Sequence, residues 1–318
     1  MSEEKMERYD FHTHFIPPDV MDWLKTHHLA VRAKWEERKT HANPFLSIND
    51  KWAFELKPAF VDEQIFFKEQ DKAGVTCSVV SPIPQLFLYE LNWGITKELA
   101  QVYNRSLAKW VQANPKRLMA LATLPLNHPE EAALELNRAM GQGLKGAIIA
   151  PGVSQMMLTD EALTPFWEEA NRLSAIIFIH PLLGQDPRLR RRMMPNLIGV
   201  PWETTLCATD LILSGHLDAY PRVKILLAHG GGFLPYQVGR LDKGYEMWPA
   251  VREKLKAPPS EYLRRLWFDS VVWEPKVLTL LVQLVGNDRI VPGSDFPFDL
   301  SAWPPLMVDN SGVKTLLG

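Results

Sequence analysis

Short apolar runs that are rich in β-branched and aromatic residues recur eight times along the chain. Most of them are separated by stretches in which apolar residues follow a helical spacing, such as Glu90 to Asn114, Pro129 to Gln142, Thr164 to Ser174 and Glu203 to His216. The runs read RYDFHTHF, VTCSVVSP, LMALATL, LKGAIIAP, AIIFIHP, VKILLAHGG, RLWFDSVV and RIVPGSD. This alternation of strand and helix predicts an α/β fold, a parallel (β/α)8 TIM barrel.

The spacing of the eight runs is uneven, because about sixty residues separate the first from the second. We expect an insertion after strand 1, over about residues 20–70, that contains Trp35, Trp52 and Phe54. It is interpreted as a flap over the barrel mouth, with a loop on the outer surface as the alternative. Residues 1–318 are expected to form one barrel domain, since a barrel of this type accounts for the whole length.

Composition and charge narrow the classes of partner. The chain has 46% hydrophobic residues, and its 35 Lys and Arg nearly balance its 37 Asp and Glu. No long block of one charge indicates binding to nucleic acid or to a membrane, so a small-molecule partner is favoured. Neither a signal sequence nor an apolar stretch of about 18 residues is evident. Cys77 and Cys207 are far apart in apolar stretches, which favours free thiols and a cytoplasmic location.

Polar residues follow several of the predicted strands, at their carboxyl ends. His12 and His14 are one residue apart on strand 1, so both point to the barrel axis while Thr13 points outward. Strands 5, 6 and 8 end in the same way, at His180, His229 and Asp295. These side chains should meet at the face where active sites of barrel enzymes are built.

Three imidazoles and one carboxylate form a donor set suited to a divalent metal ion. His12, His14, His180 and Asp295 come from strands 1, 5 and 8 and leave a coordination position for water, which favours Zn²⁺; Mn²⁺, Co²⁺ and Fe²⁺ also fit such a set. A single histidine at a strand end is more often a structural residue. The prediction of a metal therefore rests on the whole group.

Four sequence motifs carry a resemblance to a known family. The segments DFHTHFIPP, GVPWETT, AHGGGFLPYQVGR and GNDRIVPGSDFPF resemble the metal-dependent amidohydrolase superfamily, in its branch of non-oxidative decarboxylases typified by α-amino-β-carboxymuconate-ε-semialdehyde decarboxylase. By position, the resemblance implies that His12, His14, His180 and Asp295 are the metal ligands. It also implies that His229 acts beside the metal as the acid and base.

The same resemblance assigns roles to two cationic residues. Arg240 stands where the decarboxylases carry an arginine that enters the neighbouring subunit's site and holds a substrate carboxylate; the alternative is a solvated charge beside Asp242. A homodimer that shares Arg240 across its interface is thereby implied. Lys57 stands where the family type has another substrate-binding arginine, and a lysine cannot form the bidentate fork. The substrate is therefore expected to differ from the muconate semialdehyde.

Binuclear relatives bridge two ions with a carboxylated lysine at the mouth end of strand 4. Here Lys145 lies five residues before Ala150, roughly 16 Å deeper at ~3.3 Å per residue. We expect one metal ion per chain. Lys145 is interpreted as a charge at the bottom or surface of the barrel.

The remaining candidates are aromatic residues and other histidines. Trp202, Phe296 and Phe298 follow strand ends and could sandwich a planar substrate, although core packing explains them equally well. The other histidines are interpreted as solvated, although one of the first three could border the pocket: His27, His28, His41, His128 and His216. The segment after Asp295 is short, which indicates either a short final helix or an incomplete chain.

The predicted function is that of a metal-dependent non-oxidative decarboxylase. Its substrate is expected to be a small unsaturated or aromatic carboxylic acid, with His229 and Asp295 as the catalytic groups. The alternatives are a metal-dependent hydrolase or hydratase with the same residues, acting on an amide, a lactone, a carbon–carbon bond or a double bond, and a non-catalytic metal-binding scaffold. Release of CO₂, as opposed to incorporation of solvent oxygen, separates the enzymes.

Overall fold

The computed structural model describes residues 7–306 and 308–318. Eight strands, named β1 to β8, lie in chain order and correspond to the eight predicted runs. They pair in parallel in the orders β1-β2-β3 and β8-β7-β6-β5-β4. Their bounds are Tyr9–His14, Cys77–Ser81, Leu118–Ala120, Gly146–Ile149, Ile176–Ile179, Lys224–Leu227, Trp267–Asp269 and Ile290–Val291.

Backbone contacts at two seams join these sheets into a closed barrel. Ala122, just beyond β3, forms a parallel bridge to Ala147 of β4, and Thr13 of β1 bridges Phe296, which follows β8. The amide of Asp295 also donates to the carbonyl of His12 at 2.8 Å. The first and last strands are therefore neighbours, as the predicted barrel requires.

Helices cover the outside of the barrel, and several begin with proline, which is favoured in the first turn because it lacks the N–H that would be unpaired there. The predicted helices are found with small shifts at their ends. The helices α1 to α12 are Pro18–Thr26, Glu63–Ala73, Trp93–Ala113, Pro129–Gly141, Thr164–Leu173, Val200–Leu213, His216–Ala219, Leu234–Met247, Pro249–Arg252, Pro259–Leu263, Pro275–Val285 and Ser311–Leu317.

The core fills the barrel and the space between strands and helices. Strand residues are buried on both faces, as expected where helices cover the outside of a parallel sheet. Cys77 and Cys207 are buried and are not joined in a disulfide. None of the helices in the described ranges combines the length and the apolar character that a membrane crossing requires.

The segment between β1 and β2 holds α1, α2 and a small antiparallel sheet with strands Lys34–Glu36, Phe45–Ser47 and Phe54–Glu55. Its aromatic rings pack on the loop after β8. The rings of Phe54 and Phe60 lie 5.5 and 4.9 Å from that of Phe298. Because Phe298 follows the carboxyl end of β8, the segment contacts the catalytic face of the barrel.

One histidine lies in surroundings that the sequence did not indicate. His216, interpreted as solvated, is only 9% exposed and packs between Trp167 and Tyr220, with ring centroids 4.6 Å away in each case. Burial lowers the pKa of His216 to about 4. The interpretation was wrong because its packing partner Trp167 lies on α5, far away along the chain.

Candidate metal centre

Five polar side chains converge at the carboxyl ends of β1, β5, β6 and β8. Strand alternation places His12 and His14 on the inner side of β1, while the hydroxyl of Thr13 donates to a backbone carbonyl of β2. His180 follows β5 directly, and His229 and Asp295 lie in the turns after β6 and β8. The structure thus brings together all five residues that the sequence singled out.

Four of these residues form a divalent metal site. The ligand atoms of His12, His180, His229 and Asp295 all lie within 4.8 Å of one another. The Nε2 atom of His14 is 3.2 Å from the Nε2 of His12 and 3.1 Å from the Oδ1 of Asp295, so it adjoins the same centre. Imidazole nitrogens with one carboxylate oxygen suit Zn²⁺, Mn²⁺ and similar ions.

The Nδ1 hydrogen bonds of two histidines, His14 and His180, leave their Nε2 atoms for a metal. The Nδ1 of His14 lies 2.9 Å from the carbonyl of Pro82, and the Nδ1 of His180 lies 2.9 Å from the carbonyl of Pro181. Since a carbonyl only accepts, both Nδ1 atoms carry the proton. The Nε2 of His180 is buried and has no hydrogen-bond partner among the described residues, as expected of a ligand atom. The residues present therefore fit the metal.

Charge within the centre supports the same conclusion. Burial opposes ionisation of Asp295, but the charge of His12 and hydrogen bonds from the surrounding histidines outweigh it and hold the pKa of Asp295 well below its usual range. Burial lowers the pKa of His14, and burial together with the neighbouring histidines lowers that of His180 further. The centre thus combines an ionised carboxylate with two neutral imidazoles, which are the ligand forms that metals bind.

His12 differs because it lies between two carboxylates. Burial alone would lower its pKa, but Asp295 and Asp269 outweigh that effect and raise the pKa of His12 to about 10. Its Nδ1 lies 2.6 Å from the Oδ2 of Asp269. A carboxylate behind a metal-binding imidazole fixes the orientation of the ring and increases its basicity.

His229 has a different environment from the other histidines of the centre. Its Nε2 lies 3.5 Å from the Oδ2 of Asp295, and its buried Nδ1 has no hydrogen-bond partner among the described residues. The backbone of His229 is left-handed, with φ of 54°, and Gly232, which ends the turn, could not carry a Cβ because that atom would lie 2.2 Å from the carbonyl oxygen of Pro201. The turn is compact, and no described acceptor lies at the Nδ1 of its imidazole.

Two residues of the centre, Asp269 and Trp273, were not identified from the sequence. Asp269 ends β7, and Trp273 follows this strand. Asp269 is fully buried behind His12. Trp273 is 52% exposed, lies beside His229, and donates its indole N–H to the carbonyl of Leu300 at 2.7 Å. An acidic residue at the carboxyl end of a barrel strand was the available signal for Asp269, the same one that identified Asp295. The sequence offered no comparable signal for Trp273.

Lys57 and Trp202, two of the residues predicted to bind the substrate, contact residues outside the metal centre. Lys57 donates to the carbonyl of Pro297 at 3.1 Å and pairs with Asp299 at 2.7 Å. Trp202 is 38% exposed on α6, with the guanidinium of Arg188 5.9 Å from its ring centroid.

Phe296 and Phe298 differ in what they contact. Phe296 is buried against Phe66 and Trp303, with ring centroids 5.7 and 4.2 Å away. It is Phe298 that faces the metal centre, with its ring 5.2 Å from that of His14.

Two cationic residues lie outside the cluster. Arg240 is exposed on α8 and makes no ion pair with Asp242 among the described residues. Lys145 is exposed immediately before β4, at the end of the strand opposite to the metal centre.

A closed parallel barrel with a buried histidine and carboxylate centre at its carboxyl end defines a metal-dependent barrel enzyme. A profile of the family described as "Amidohydrolase" matches residues 9–313. The 2-amino-3-carboxymuconate-6-semialdehyde decarboxylase of Dictyostelium discoideum is 32% identical over 314 residues, which cover 94% of this chain and 84% of that protein. The chain belongs to the amidohydrolase family.

Solved structures of decarboxylases share the fold. The 5-carboxyvanillate decarboxylase of Sphingomonas paucimobilis matches with a TM-score of 0.77 at 26% identity, over 92% of this chain and 89% of that chain. A dihydroxybenzoic acid decarboxylase from a Polaromonas species matches with a TM-score of 0.72 at 22% identity, over 92% and 87%, and contains manganese and the inhibitor 2-nitroresorcinol. The chain is a metal-dependent decarboxylase of its family, a carboxy-lyase, which confirms the predicted family and reaction class.

Proposed function

We propose that this chain removes CO₂, without an oxidant, from a small unsaturated or aromatic carboxylic acid, with His229 as the proton donor. The observation that carries the proposal is the contrast among the histidines. In His12, His14 and His180 an acceptor holds the Nδ1 proton and leaves Nε2 for the metal, whereas the Nδ1 of His229 has no described partner. An imidazole whose Nδ1 is not held by an acceptor, and whose Nε2 adjoins a carboxylate, can take up and release a proton.

His12, His14, His180 and Asp295 are proposed to hold one ion, preferably Zn²⁺, with Mn²⁺, Co²⁺ and Fe²⁺ as alternatives. Although His229 belongs to the tightest four-atom group, we assign the ligand role to His14 because its Nδ1 bond to the Pro82 carbonyl directs its Nε2 to the centre. When bound, the ion supplies a Lewis acid for a substrate oxygen. The exposed position of Lys145 at the far end of β4 supports a single ion.

The chain's own residues are proposed to move the proton. His229 donates a proton to the carbon that bears the carboxylate, and the bond from that carbon to the carboxylate then breaks. The electron pair of the broken bond stays on the ring or double bond, and CO₂ leaves. Asp295, with its Oδ2 3.5 Å from the Nε2 of His229, orients the imidazole, which regains its proton from solvent. General acid catalysis of this kind contributes typically ~10²–10⁴ in rate.

Aromatic side chains are proposed to form the walls of the substrate site. Phe298 lies beside His14, and Trp273 lies beside His229. Both rings flank the centre and suit a planar substrate. Trp202 and Phe296 are proposed as more distant parts of these walls. Phe296 packs in the core against Trp303.

Residues 20–70 are proposed to act as a flap over the mouth. The contacts of Phe54 and Phe60 with Phe298 support this position. Lys57, which contacts the Pro297 carbonyl and is paired with Asp299, is proposed to bind a substrate carboxylate at the rim in place of the Asp299 carboxylate.

The functional unit is proposed to be a cytoplasmic homodimer in which Arg240 of one subunit enters the site of the other. Arg240 is exposed on α8, and the amino-terminal part of the same helix region exposes Phe233 and Tyr236, which are 39% and 79% exposed. Exposed aromatic residues beside an arginine are typical of interfaces. The buried, unpaired thiols support a reducing compartment.

The second candidate is a hydrolase or hydratase of the same family, since the same groups would activate water. The experiment is to incubate enzyme loaded with Zn²⁺ or Mn²⁺ with a panel of aromatic and unsaturated carboxylic acids in ¹⁸O-labelled water. We expect CO₂ to be released while the other product gains one solvent hydrogen and no ¹⁸O. Incorporation of ¹⁸O without CO₂ would establish the hydrolase or hydratase instead.

A further inference from the structure

The carboxylate of Asp269 lies at the point where the metal centre meets the turn of His229. Asp269 is the last residue of β7 and is fully buried. Its Oδ2 accepts from the Nδ1 of His12 at 2.6 Å and from the backbone N–H of His229 at 3.0 Å. Its Oδ1 accepts from the N–H groups of Gly230 and Val271 at 2.9 and 3.1 Å. A single carboxylate thus accepts from four donors, one on β1 and three in the turns that follow β6 and β7.

Two of these four donors belong to a backbone turn that is unfavourable for a residue with a side chain. His229 has φ of 54° and Gly230 has φ of 60°, so consecutive residues are left-handed. L-residues other than glycine avoid this region, and such a conformation persists only where the surroundings hold it. The hydrogen bonds that Asp269 accepts from both N–H groups of this turn supply that restraint.

We propose that Asp269 is a positioning residue that sets the metal-binding tautomer of His12 and, through the same carboxylate, the position of His229. The first part follows because Asp269 accepts at Nδ1 and leaves the Nε2 of His12 for the ion. The second part rests on the proposed role of His229 as proton donor. Metal affinity and imidazole position are therefore set by one side chain rather than by separate ones.

The substitution Asp269→Asn distinguishes a positioning role from a role in packing. The amide keeps the shape of the carboxylate but replaces one accepting oxygen by an NH₂ group that donates. If the NH₂ group faces His12 and His229, the imidazole must protonate Nε2 in order to accept at Nδ1, and the His229 N–H loses its acceptor. If the NH₂ group faces the other way, Gly230 and Val271 both lose theirs. In either orientation the turn loses one of its two hydrogen bonds to this side chain. The orientation that leaves fewer N–H groups unpaired is the first, and in it the proton of His12 occupies Nε2, the atom that should bind the metal.

Asp10 provides a matched control within the same barrel. It is also fully buried, and it holds His12 as well, but at the backbone: its Oδ1 accepts from the N–H of His12 at 3.1 Å, and its other oxygen accepts from the hydroxyl of Ser294. In Asp10→Asn the amide oxygen can still accept from His12 and the NH₂ can donate to the serine oxygen. The control removes a buried carboxylate without touching an imidazole.

The experiment compares Asp269→Asn with Asp10→Asn in two measurements that do not depend on turnover. Affinity for Zn²⁺ and for Mn²⁺ is measured by chelator competition, and amide exchange of residues 228–234 is followed by mass spectrometry. For Asp269→Asn we expect roughly 10- to 100-fold weaker metal binding and faster exchange in this segment, with neither change in Asp10→Asn. Metal affinity and exchange equal to those of the control would overturn the proposal.

A measurement on the unaltered protein covers the case in which Asp269→Asn does not fold. In the Zn²⁺-loaded protein with ¹⁵N-labelled histidine, we expect the His12 ring to carry its proton on Nδ1. A proton on Nε2 would refute the assignment. Failure of the proposed function gives a different result. If Asp269 positions His12 and the turn but the enzyme uses water as its nucleophile, the metal-affinity, exchange and ¹⁵N measurements are as expected, while the product incorporates ¹⁸O.

Discussion

The indole of Trp273 lies nearly parallel to the imidazole of His229, with ring centroids 6.2 Å apart and an angle of 10° between the planes. The tryptophan is half exposed and is fixed at its edge by the bond from its N–H to the carbonyl of Leu300. It therefore presents a rigid aromatic surface beside the proposed proton donor.

This surface leads to a prediction about substrate binding. Trp273→Ala should raise KM for an aromatic carboxylate roughly 3- to 10-fold, because an aromatic contact of this kind contributes ~0.5–1.5 kcal/mol. Trp273→Phe should recover most of the loss. Steady-state kinetics on the same substrate provide the measurement, with Trp248→Ala, an exposed tryptophan after α8, as the control. An unchanged KM in Trp273→Ala would exclude this residue from the substrate site.

The different roles proposed for the histidines, metal ligand and proton donor, give a second prediction. His180→Ala should lose both the metal and the activity, because it removes a buried ligand atom that has no other described partner. His229→Ala should retain the metal and lose ~10²–10⁴ in turnover. Elemental analysis together with CO₂ release distinguishes the two variants. Loss of the metal from His229→Ala, with the metal retained in His14→Ala, would exchange the roles of those two residues.

Arg240 leads to a third prediction, which concerns the dimer. Arg240→Ala and His229→Ala should each be inactive alone, for different reasons. In a mixed dimer one of the two sites combines an intact His229 from one subunit with an intact Arg240 from the other. Random exchange makes half of the dimers hybrid and should restore about a quarter of the unaltered activity. Absence of recovery, with exchange verified by mass spectrometry, would refute the shared site.

His216 provides a prediction about stability and pH. Its folded pKa of about 4 lies below the unfolded value of ~6.5, so as pH falls below 6.5 the unfolded chain binds a proton that the folded chain does not. The free energy of unfolding should therefore decrease between pH 6.5 and 4, by ~2–3 kcal/mol for this group. His216→Phe keeps the ring packing and should remove that part of the decrease.

Urea unfolding at pH 7.5 and 4.5 tests this expectation, with both proteins metal-free. His28→Phe, at an exposed imidazole, is the matched control for the replacement of a histidine by phenylalanine. The same pH dependence in His216→Phe as in the unaltered protein would show that His216 does not titrate below its usual range.

The sequence allowed the barrel and five residues of its centre to be predicted for physical reasons. Parallel strands covered on both faces are continuous apolar runs, and the period of two places His12 and His14 on one side. The same period could not be applied to Phe296 and Phe298, because they follow β8 in an irregular turn. One of them packs on Trp303 and the other on His14.

The residues that the sequence did not reveal depend on contacts between distant parts of the chain. Asp269 matters because it meets His12 across the barrel, and His216 is buried because Trp167 covers it. Neither relationship produces a periodic pattern. A single aspartate at a strand end is also common, so only its position behind an imidazole identifies its role.

The hydrogen bond between the amide of Asp295 and the carbonyl of His12 joins the beginning of the barrel to its end. During synthesis, at ~5–20 residues per second, the ribosome would need roughly 15–60 s after His12 to reach Asp295. Until then a nascent chain holds histidines but no complete coordination sphere. The full set of ligand side chains is therefore assembled only when the end of the barrel has joined its beginning.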